Sequence, residues 1–256
     1  MTEEAVGAKY TFRRPGGDRF GWVQIPACIF KGGMLLLTRR DWDGMQHVPL
    51  TGPVIFVWNH YSDIDPLPVC HFVINAGRHP RFLLKHTLTE IPVIGPIIKS
   101  TGQIPVFRGR SDAAESLREA AKVLERGGAV LIAPEGSITK EPDRWPMRGK
   151  TGVARLALET GAPVVPIVQW GALALHDRRR KPKLKLGRRK TVVVRALPPV
   201  DLSQWKDAEA DRETLAAITD RIMDTLRLGL AELRGQAPPP LFDLNRKRRE
   251  ESESNE

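Results

Sequence analysis

The sequence predicts an α/β protein with a mixed, largely parallel sheet flanked by helices, and two observations support this. Short apolar runs rich in β-branched residues recur along the chain with helical patterns between them, as expected of strands covered on both faces. Polar or charged residues directly follow several of these runs, at the edge where open α/β sheets build their sites. The predicted strands cover residues 54–58, 82–84, 104–107, 129–133, 164–168 and 192–194.

Three helices are predicted between and after these strands. The first begins near Ser111 and ends before Gly127, because apolar residues recur between them at steps of three and four. The second covers residues 151–159 and ends at Gly161. The third is a long C-terminal helix with an apolar stripe suited to packing on the sheet. Its stripe consists of Leu215, Ile218, Ile222, Leu226, Leu230 and Leu233.

We predict that residues 46–236 form a single domain. Residues 237–256 start with a proline-rich run and continue as charged low-complexity sequence, so we expect this tail to be disordered. Residues 1–45 are predicted to be a segment at the membrane interface.

The apolar stretch 20–37 is the part of the chain most like a membrane span. Gln24, Pro26, Lys31 and three glycines interrupt it, so we predict no transmembrane helix here. One interpretation is an interfacial helix with its apolar side chains among lipid headgroups, and the other is a helix packed on the domain. The side chains concerned are Trp22, Ile25, Ile29, Phe30, Leu35, Leu36 and Leu37. The acidic start of the chain is not typical of a signal peptide, so we expect a peripheral or monotopic protein at the cytoplasmic face of the cell membrane.

The chain carries 40 Lys and Arg against 30 Asp and Glu, a net charge of +10. This excess predicts affinity for anionic surfaces or ligands, anionic membrane lipids among them. A nucleic-acid-binding protein is the alternative from another class. The sequence contains no zinc-finger spacing, aromatic RNA-binding strand or clear helix-turn-helix, so we expect no nucleic acid partner. With only two cysteines and no CxxC spacing, we expect no disulfide framework. No metal-binding cluster is evident in the sequence, and we expect no cofactor.

The most informative motif places His60 and Asp65 five residues apart, directly after the first predicted strand. On a continuous helix these side chains would point about 140° apart and would not touch. If His60 lies in a turn and a helix begins near Asp65, the carboxylate can fold back to the imidazole, and Pro66 suits the first helical position. His60 is then a candidate general base that removes a proton from an alcohol. The alternative is an Asp65 that only caps the helix, beside a loop histidine.

Three further stretches lie at the ends of predicted strands. Residues 102–108 end in Arg108, whose planar guanidinium suits a phosphate, although a surface arginine is the alternative. Residues 133–137 contain Glu135 and a glycine that permits close backbone approach to a ligand, although an ordinary turn explains them too. Residues 162–167 carry two prolines around an apolar pair and form either a pocket wall or an edge strand.

Taken in order, these four stretches resemble the glycerolipid acyltransferase family that contains the bacterial 1-acyl-glycerol-3-phosphate acyltransferases. His60 and Asp65 resemble its HxxxxD box, and Arg108 resembles the arginine of its second block. The Pro-Glu-Gly sequence that ends at Gly136 resembles its third block, and residues 164–167 resemble its proline-containing fourth. The resemblance also implies the sheet architecture of the glycerol-3-phosphate acyltransferases.

The resemblance covers roughly residues 50–170 and implies an O-acyltransferase of phospholipid biosynthesis. It implies that His60, oriented by Asp65, deprotonates the free hydroxyl of a lysophospholipid, 1-acyl-glycerol 3-phosphate. The alkoxide then attacks an acyl thioester, either acyl-CoA or acyl carrier protein (acyl-ACP), without an acyl-enzyme. The absence of a GxSxG motif is consistent with this. The implied substrate-binding residues are Lys85, Arg108, Glu135, Gly136 and Ser137.

The third block departs from the family pattern, which usually continues with Thr-Arg-Ser and uses the arginine to contact phosphate. Ile138 occupies the arginine position here. Either a nearby basic residue supplies the charge and Trp145 adds an apolar wall, or the acceptor is another lysolipid or a glycolipid. A catalytically silent lipid-binding relative is a further interpretation, which the intact His60 and Asp65 disfavour. The basic candidates are Lys140, Arg144, Arg148 and Lys150.

Two more surfaces have open interpretations. Residues 178–190 are the most densely basic part of the chain. They could contact anionic lipid, where each basic residue contributes about 1 kcal/mol of binding free energy. They could instead bind the phosphates of coenzyme A or the acidic face of acyl carrier protein. The third interpretation is a solvated loop. Apolar residues in the range 91–98 are either part of an acyl tunnel or core.

Overall fold

The computed structural model describes residues 24–92, 94–106, 110–177, 185 and 187–244. The strands are β1 (Thr38–Asp43), β2 (Val54–Trp58), β3 (Pro80–Lys85), β4 (Ile104–Val106), β5 (Ala129–Ile132), β6 (Val164–Trp170) and β7 (Lys190–Ala196). The helices are α1 (Gln24–Leu37), α2 (Pro66–Asn75), α3 (Ile94–Ser100), α4 (Arg110–Glu125), α5 (Gly152–Thr160) and α6 (Arg212–Arg234), with short 3-10 helices in several connections. The strands form a seven-stranded sheet in the order β1-β7-β6-β2-β5-β3-β4.

The sheet is mixed but mainly parallel, which confirms the predicted fold class. Strands β2 to β6 pair with one another in parallel, whereas β7 runs antiparallel to β6 and β1 runs parallel to β7. Parallel neighbours need long crossover connections, and α2, α3, α4 and α5 supply them. All residues of β2 are buried, so the strand that leads to His60 lies in the middle of the sheet.

Two apolar clusters cover the two faces of the sheet, because successive side chains of a strand point in opposite directions. Ile55 and Val57 of β2 belong to the cluster that includes α4, α5 and α6. Phe56 and Trp58 belong to the cluster that includes α2 and Trp42. Burial on both faces explains why β2 reads as an unbroken apolar run. Truncating a fully buried side chain such as Phe56 to alanine costs about 3 to 5 kcal/mol of stability.

The three predicted helices are confirmed as α4, α5 and α6. Helix α5 has Thr151 at its N-cap and ends at Gly161, whose φ of 64° is in the left-handed region that favours glycine. The predicted stripe of α6 is buried except for Leu233, which is half-buried. Asp211 caps this helix by accepting a hydrogen bond from the Thr214 amide.

Strand β1 is not among the predicted strands. Its sequence, Thr-Arg-Arg-Asp-Trp-Asp, contains no apolar run because β1 is an edge strand that pairs with β7, and charged side chains are typical of edges. Trp42 anchors it, since the indole is buried among the side chains of the α2 face. The sheet therefore begins before residue 46, the predicted start of the domain.

Helix α1 packs on the domain with one side and leaves an apolar stripe exposed on the other. Its buried side contacts Ile74 of α2. Ile25, Ile29 and Leu36 are 67%, 74% and 76% exposed. Among the described residues, no helix is both long and apolar enough to cross a bilayer.

Several predicted features lie outside the described residues. These are Trp22, Arg108, most of the basic stretch 178–190 and residues 245–256 of the tail. The roles assigned to them remain predictions. Residues 237–244 of the predicted disordered tail are described, and Phe242 pairs with Met147 and accepts the Arg148 amide at 2.9 Å, so ordered structure continues past residue 236.

Candidate active site

The site residues converge because three neighbouring strands end together. Val165 of β6, Phe56 of β2 and Leu131 of β5 lie side by side in the sheet. Gln169, His60 and Glu135 each lie four residues past this row. The parallel register therefore brings residues far apart in sequence to one point at the carboxyl edge of the sheet, where open α/β sheets bind ligands.

Asp65 is the fixed centre of the site. It occupies the N-cap position of α2, and Pro66 is the first helical residue, as predicted. Its carboxylate is fully buried and does not cap the helix. Instead, Oδ1 accepts hydrogen bonds from Trp58 Nε1 at 3.1 Å and His60 Nδ1 at 2.8 Å, while Oδ2 accepts from the amides of Tyr61 at 2.7 Å and Ser62 at 2.8 Å. The alternative of a carboxylate that only caps the helix does not fit this geometry.

His60 is the exposed member of the pair, with a side chain 17% accessible to solvent. Desolvation lowers the pKa of His60. The hydrogen bond and charge of Asp65 and the charges of Glu135 and Asp63 raise it by a larger amount, so the pKa lies above its usual value. The bond to Asp65 holds the proton on Nδ1 and leaves Nε2 as the basic nitrogen. This geometry allows His60 to take a proton from a bound hydroxyl.

Glu135 supports the histidine from the next strand. Its Oε1 accepts the His60 amide at 2.9 Å, and its Oε2 accepts the Met147 amide at 3.1 Å. Burial raises the pKa of Glu135 to about 8, although these two amide donors oppose the rise. Glu135 therefore holds the backbone in place around His60, and its part in substrate binding, which the resemblance implies, remains a prediction.

The opposite side of the loop is held to β6 by reciprocal hydrogen bonds. Asn59 donates from Nδ2 to the Gln169 carbonyl at 3.0 Å and accepts the Gln169 amide at 2.9 Å. The Tyr61 hydroxyl donates to Gln169 Oε1 at 3.1 Å and accepts the Ala172 amide at 3.0 Å. These bonds leave the His60 loop little freedom, which is what a positioned base requires.

Residues 139–147 cover the loop from above the sheet edge. The Thr139 amide donates to the His60 carbonyl at 2.7 Å. Arg144 donates from Nη1 to the Tyr61 carbonyl and from Nη2 to Asp177 Oδ1, each at 3.0 Å. The φ of Arg144 is 67°, a strained value for a residue other than glycine, and strain of this kind concentrates at functional sites.

A cavity of about 430 Å³ adjoins this loop. Ser62, Asp63, Ile138 and Lys140 line it together with the Arg144 and Asp177 pair. It combines both signs of charge with an aliphatic wall.

The four basic candidates for the missing arginine have different surroundings. The guanidinium of Arg144 is bonded within the protein, and Arg148 bonds Asp243 at 3.2 Å. Lys140 lines the cavity. Lys150 extends over Gly136, since a Cβ on that glycine would lie 2.9 Å from its Nζ. Lys140 and Lys150 are thus the two placed beside the turn that contains Ile138.

The other predicted binding residues lie around this edge. Lys85 is exposed at the end of β3, one strand beyond β5, which places it about 10 Å from the β2 axis at the usual strand spacing. Gly136 and Ser137 are exposed in the turn after Glu135, and Gly136 has a φ of 66° that favours glycine. No cluster of metal-ligating side chains occurs in the part of the chain that the structure describes.

Sequence reasoning did not identify Trp58, Asn59, Tyr61 or Gln169 as site residues. Trp58, Asn59 and Tyr61 lie within two residues of His60, so their position beside the motif was an available signal. Gln169 has no such signal, because its partner Asn59 is 110 residues away in sequence.

A histidine bonded to a buried carboxylate at the carboxyl edge of a mixed sheet defines an α/β protein equipped for general base chemistry. The chain belongs to the Acyltransferase family, whose model matches residues 39–170. This confirms the family predicted from the motifs.

The similar proteins carry related names. A chloroplastic 1-acyl-sn-glycerol-3-phosphate acyltransferase, BAT2, from Brassica napus is 29% identical over 52% of this chain and 38% of its own. An enzyme of the same name from Chlamydomonas reinhardtii is 32% identical over 59% of this chain and 44% of its own. The chain thus spans less than half the length of these two relatives.

A solved structure shares the fold. The 1-acyl-sn-glycerophosphate acyltransferase PlsC from Thermotoga maritima matches with a TM-score of 0.64 and 23% identity, covering 85% of this chain and 81% of that one. At this identity the match describes the fold, and it agrees with the mixed sheet described above.

Proposed function

We propose that this protein transfers a fatty acyl group from a thioester, acyl-CoA or acyl-ACP, to the free hydroxyl of 1-acyl-glycerol 3-phosphate, giving phosphatidic acid. The observation that carries the proposal is the 2.8 Å bond between His60 Nδ1 and Asp65 Oδ1, made by a carboxylate that is fully buried beside a partly exposed imidazole. The family match and the names of the relatives support the reaction class.

In this mechanism, His60 Nε2 accepts the proton of the acceptor hydroxyl as its oxygen attacks the thioester carbonyl carbon. Asp65 stabilises the imidazolium that forms and keeps the ring in the productive tautomer. The tetrahedral intermediate collapses, the C–S bond breaks, and the leaving thiolate takes the proton back from Nε2. An ester and a free thiol result, and no side chain of the protein is acylated.

The acceptor phosphate is proposed to lie near Lys140 and Lys150, with Lys85 and Arg108 as further contacts. Lys140 lines the cavity, and the Lys150 ammonium lies over the turn at Gly136. Ile138 favours a second candidate, an acceptor with another headgroup, because an aliphatic side chain forms one wall of the cavity. Another lysolipid or a glycolipid would fit that description.

The protein is proposed to act at the cytoplasmic face of the cell membrane, held there by α1. The exposed stripe Ile25, Ile29 and Leu36 is apolar enough to insert at the headgroup boundary. Lys31 and Arg39 lie in and next to this helix, where they would attract anionic lipids. Exposed Ile91 and Ile97, in the connection between β3 and β4, are candidates for the path of the acyl chain.

Thiol release from palmitoyl-CoA by purified protein in detergent tests the proposed function. Release that depends on 1-acyl-glycerol 3-phosphate and is lost in His60→Ala supports it. Release with palmitoyl-CoA that requires another lysolipid or a glycolipid would favour the second candidate acceptor. Retained turnover in His60→Ala would rule out the mechanism, and absence of turnover with every donor and acceptor would favour the silent lipid-binding relative.

A further inference from the structure

A row of stacked rings connects the end of α6 to the loop that carries His60. The Arg234 guanidinium lies over two indoles, with Cζ 4.1 Å from the Trp145 ring centroid and 4.4 Å from the Trp170 centroid. The Trp170 ring stacks on Tyr61, with centroids 4.9 Å apart and an interplanar angle of 29°. Tyr61 is the residue after His60, so the row ends beside the candidate base.

We infer that Arg234 is a positioning residue for His60, acting through Trp170 and Tyr61. This inference rests on the proposed function, because it assigns Arg234 a role in the same acyl transfer. It adds a residue outside the matched region 39–170 and far from every motif in the sequence.

Tyr61 is the point at which the row can affect the base. Its amide donates to Asp65 Oδ2 at 2.7 Å and its carbonyl accepts from Arg144 at 3.0 Å. The Tyr61 ring is buried and its hydroxyl is bonded to Gln169 and Ala172, so a displacement of this side chain can shift the backbone that holds the Asp65 carboxylate. A shift of about 1 Å in a catalytic group can cost up to about a hundredfold in rate.

Arg234 packs on a ring, Trp170, that the rest of the fold buries only in part. Tyr61 is fully buried, but Trp170 is only half-buried at the end of β6. A planar guanidinium stacks well on an aromatic face and is more weakly hydrated than an ammonium group. It bridges Trp170 to Trp145, which is buried in the segment that covers the loop.

Two further contacts hold the guanidinium in place. Arg234 Nη1 donates to the Asp143 carbonyl at 3.0 Å. Arg234 is also the last residue of α6, where the helix dipole favours a cation. The arginine is thus fixed from its own helix and from residues 143–145, and both tryptophans pack on a rigid group.

Hydrogen exchange provides a test that does not depend on turnover. Arg234→Met removes the cation and keeps an unbranched apolar side chain. The Tyr61 and Ser62 amides, which donate to Asp65, are expected to exchange about tenfold faster in this variant. Amides of the central strand β5 serve as the internal reference and are expected to keep their wild-type rates.

Arg227→Met is the matched control. Arg227 also belongs to α6, and its side chain is 19% exposed, bonds Asp224 at 3.0 Å and donates to the Pro239 carbonyl at 3.0 Å. It is expected to leave exchange at Tyr61 and Ser62 unchanged. Arg234→Lys keeps the charge without the planar fork and is expected to give an intermediate rate.

Turnover supplies the second readout. Arg234→Met is expected to lower kcat about tenfold with KM within about twofold, because substrate contacts remain while the base is displaced. Arg234→Lys is expected to recover part of the loss, and Arg227→Met to retain full kcat. The positioning role would be wrong if Arg234→Met left kcat unchanged. It would also be wrong if amide exchange in this variant became faster at β5 to the same extent as at Tyr61 and Ser62. If the wild type shows no turnover with any acceptor, the proposed function fails, whereas exchange at Tyr61 still decides whether Arg234 positions the loop.

Discussion

Replacing Asp65 by asparagine tests the candidate base most informatively, because the two side chains have nearly the same shape. The carboxylate accepts four hydrogen bonds, two at each oxygen. In Asp65→Asn, the amide oxygen can still accept from Tyr61 and Ser62. The amide nitrogen then faces Trp58 Nε1 and His60 Nδ1, and it is a donor. His60 can accept this donor only by moving its own proton to Nε2.

The size of the effect follows from this tautomer change. A histidine with its proton on Nε2 cannot remove the proton of the acceptor hydroxyl. Loss of the correct tautomer and of the stabilised imidazolium costs about a thousandfold or more in kcat, equivalent to about 4 kcal/mol of activation free energy. Trp58 Nε1 also loses its acceptor, and a buried unsatisfied donor costs about 1 to 3 kcal/mol of stability.

The assay is acceptor-dependent thiol release, with thermal unfolding measured in parallel. Asp211→Asn is the control, because Asp211 is another N-cap aspartate that accepts a backbone amide, and asparagine caps helices about equally well. We expect it to change neither kcat nor stability. If Asp65→Asn remained folded and kept its kcat within about tenfold of wild type, the assigned role of Asp65 would be wrong.

Three further predictions concern pH, stability and membrane binding. Because the pKa of His60 is raised and the base must be neutral, kcat/KM should fall about tenfold per pH unit below that raised pKa, which a pH profile measures. Arg78→Met should lower the free energy of unfolding by about 3 kcal/mol, measured by urea denaturation with kcat unaffected, since the buried guanidinium donates to the carbonyls of Pro49, Gly52 and Gly127. Ile29→Glu should weaken binding to anionic vesicles about tenfold to a hundredfold in a sedimentation assay, whereas Leu228→Glu, an exposed residue on α6, should not.

Much of the fold was predictable because its signals are local. The unbroken apolar run of β2 follows from burial on both faces of the sheet. The end of α5 follows from Gly161, the only residue type that readily adopts its backbone conformation. Strand β1 was not predictable in this way, because its charged sequence reflects its position at the sheet edge, which only the assembled fold defines.

The candidate site likewise has features that local sequence predicts and features that depend on the assembled fold. The turn geometry at His60 and Asp65 could be predicted because Pro66 marks the start of α2 next to them. The bond between Asn59 and Gln169 joins residues on different strands, so strand order and register must be known first. The inward contacts of Arg144, one of the four basic candidates, also depend on the fold, since they join it to Tyr61 and Asp177.

Acceptor-dependent thiol release by the wild type and His60→Ala, with Arg227→Met as a folded control, tests the role of His60 most directly. We expect release from palmitoyl-CoA or acyl-ACP that requires a lysophospholipid acceptor, persists in Arg227→Met and disappears in His60→Ala. Release that continues at the wild-type rate in a folded His60→Ala protein would contradict the assignment of His60 as the general base.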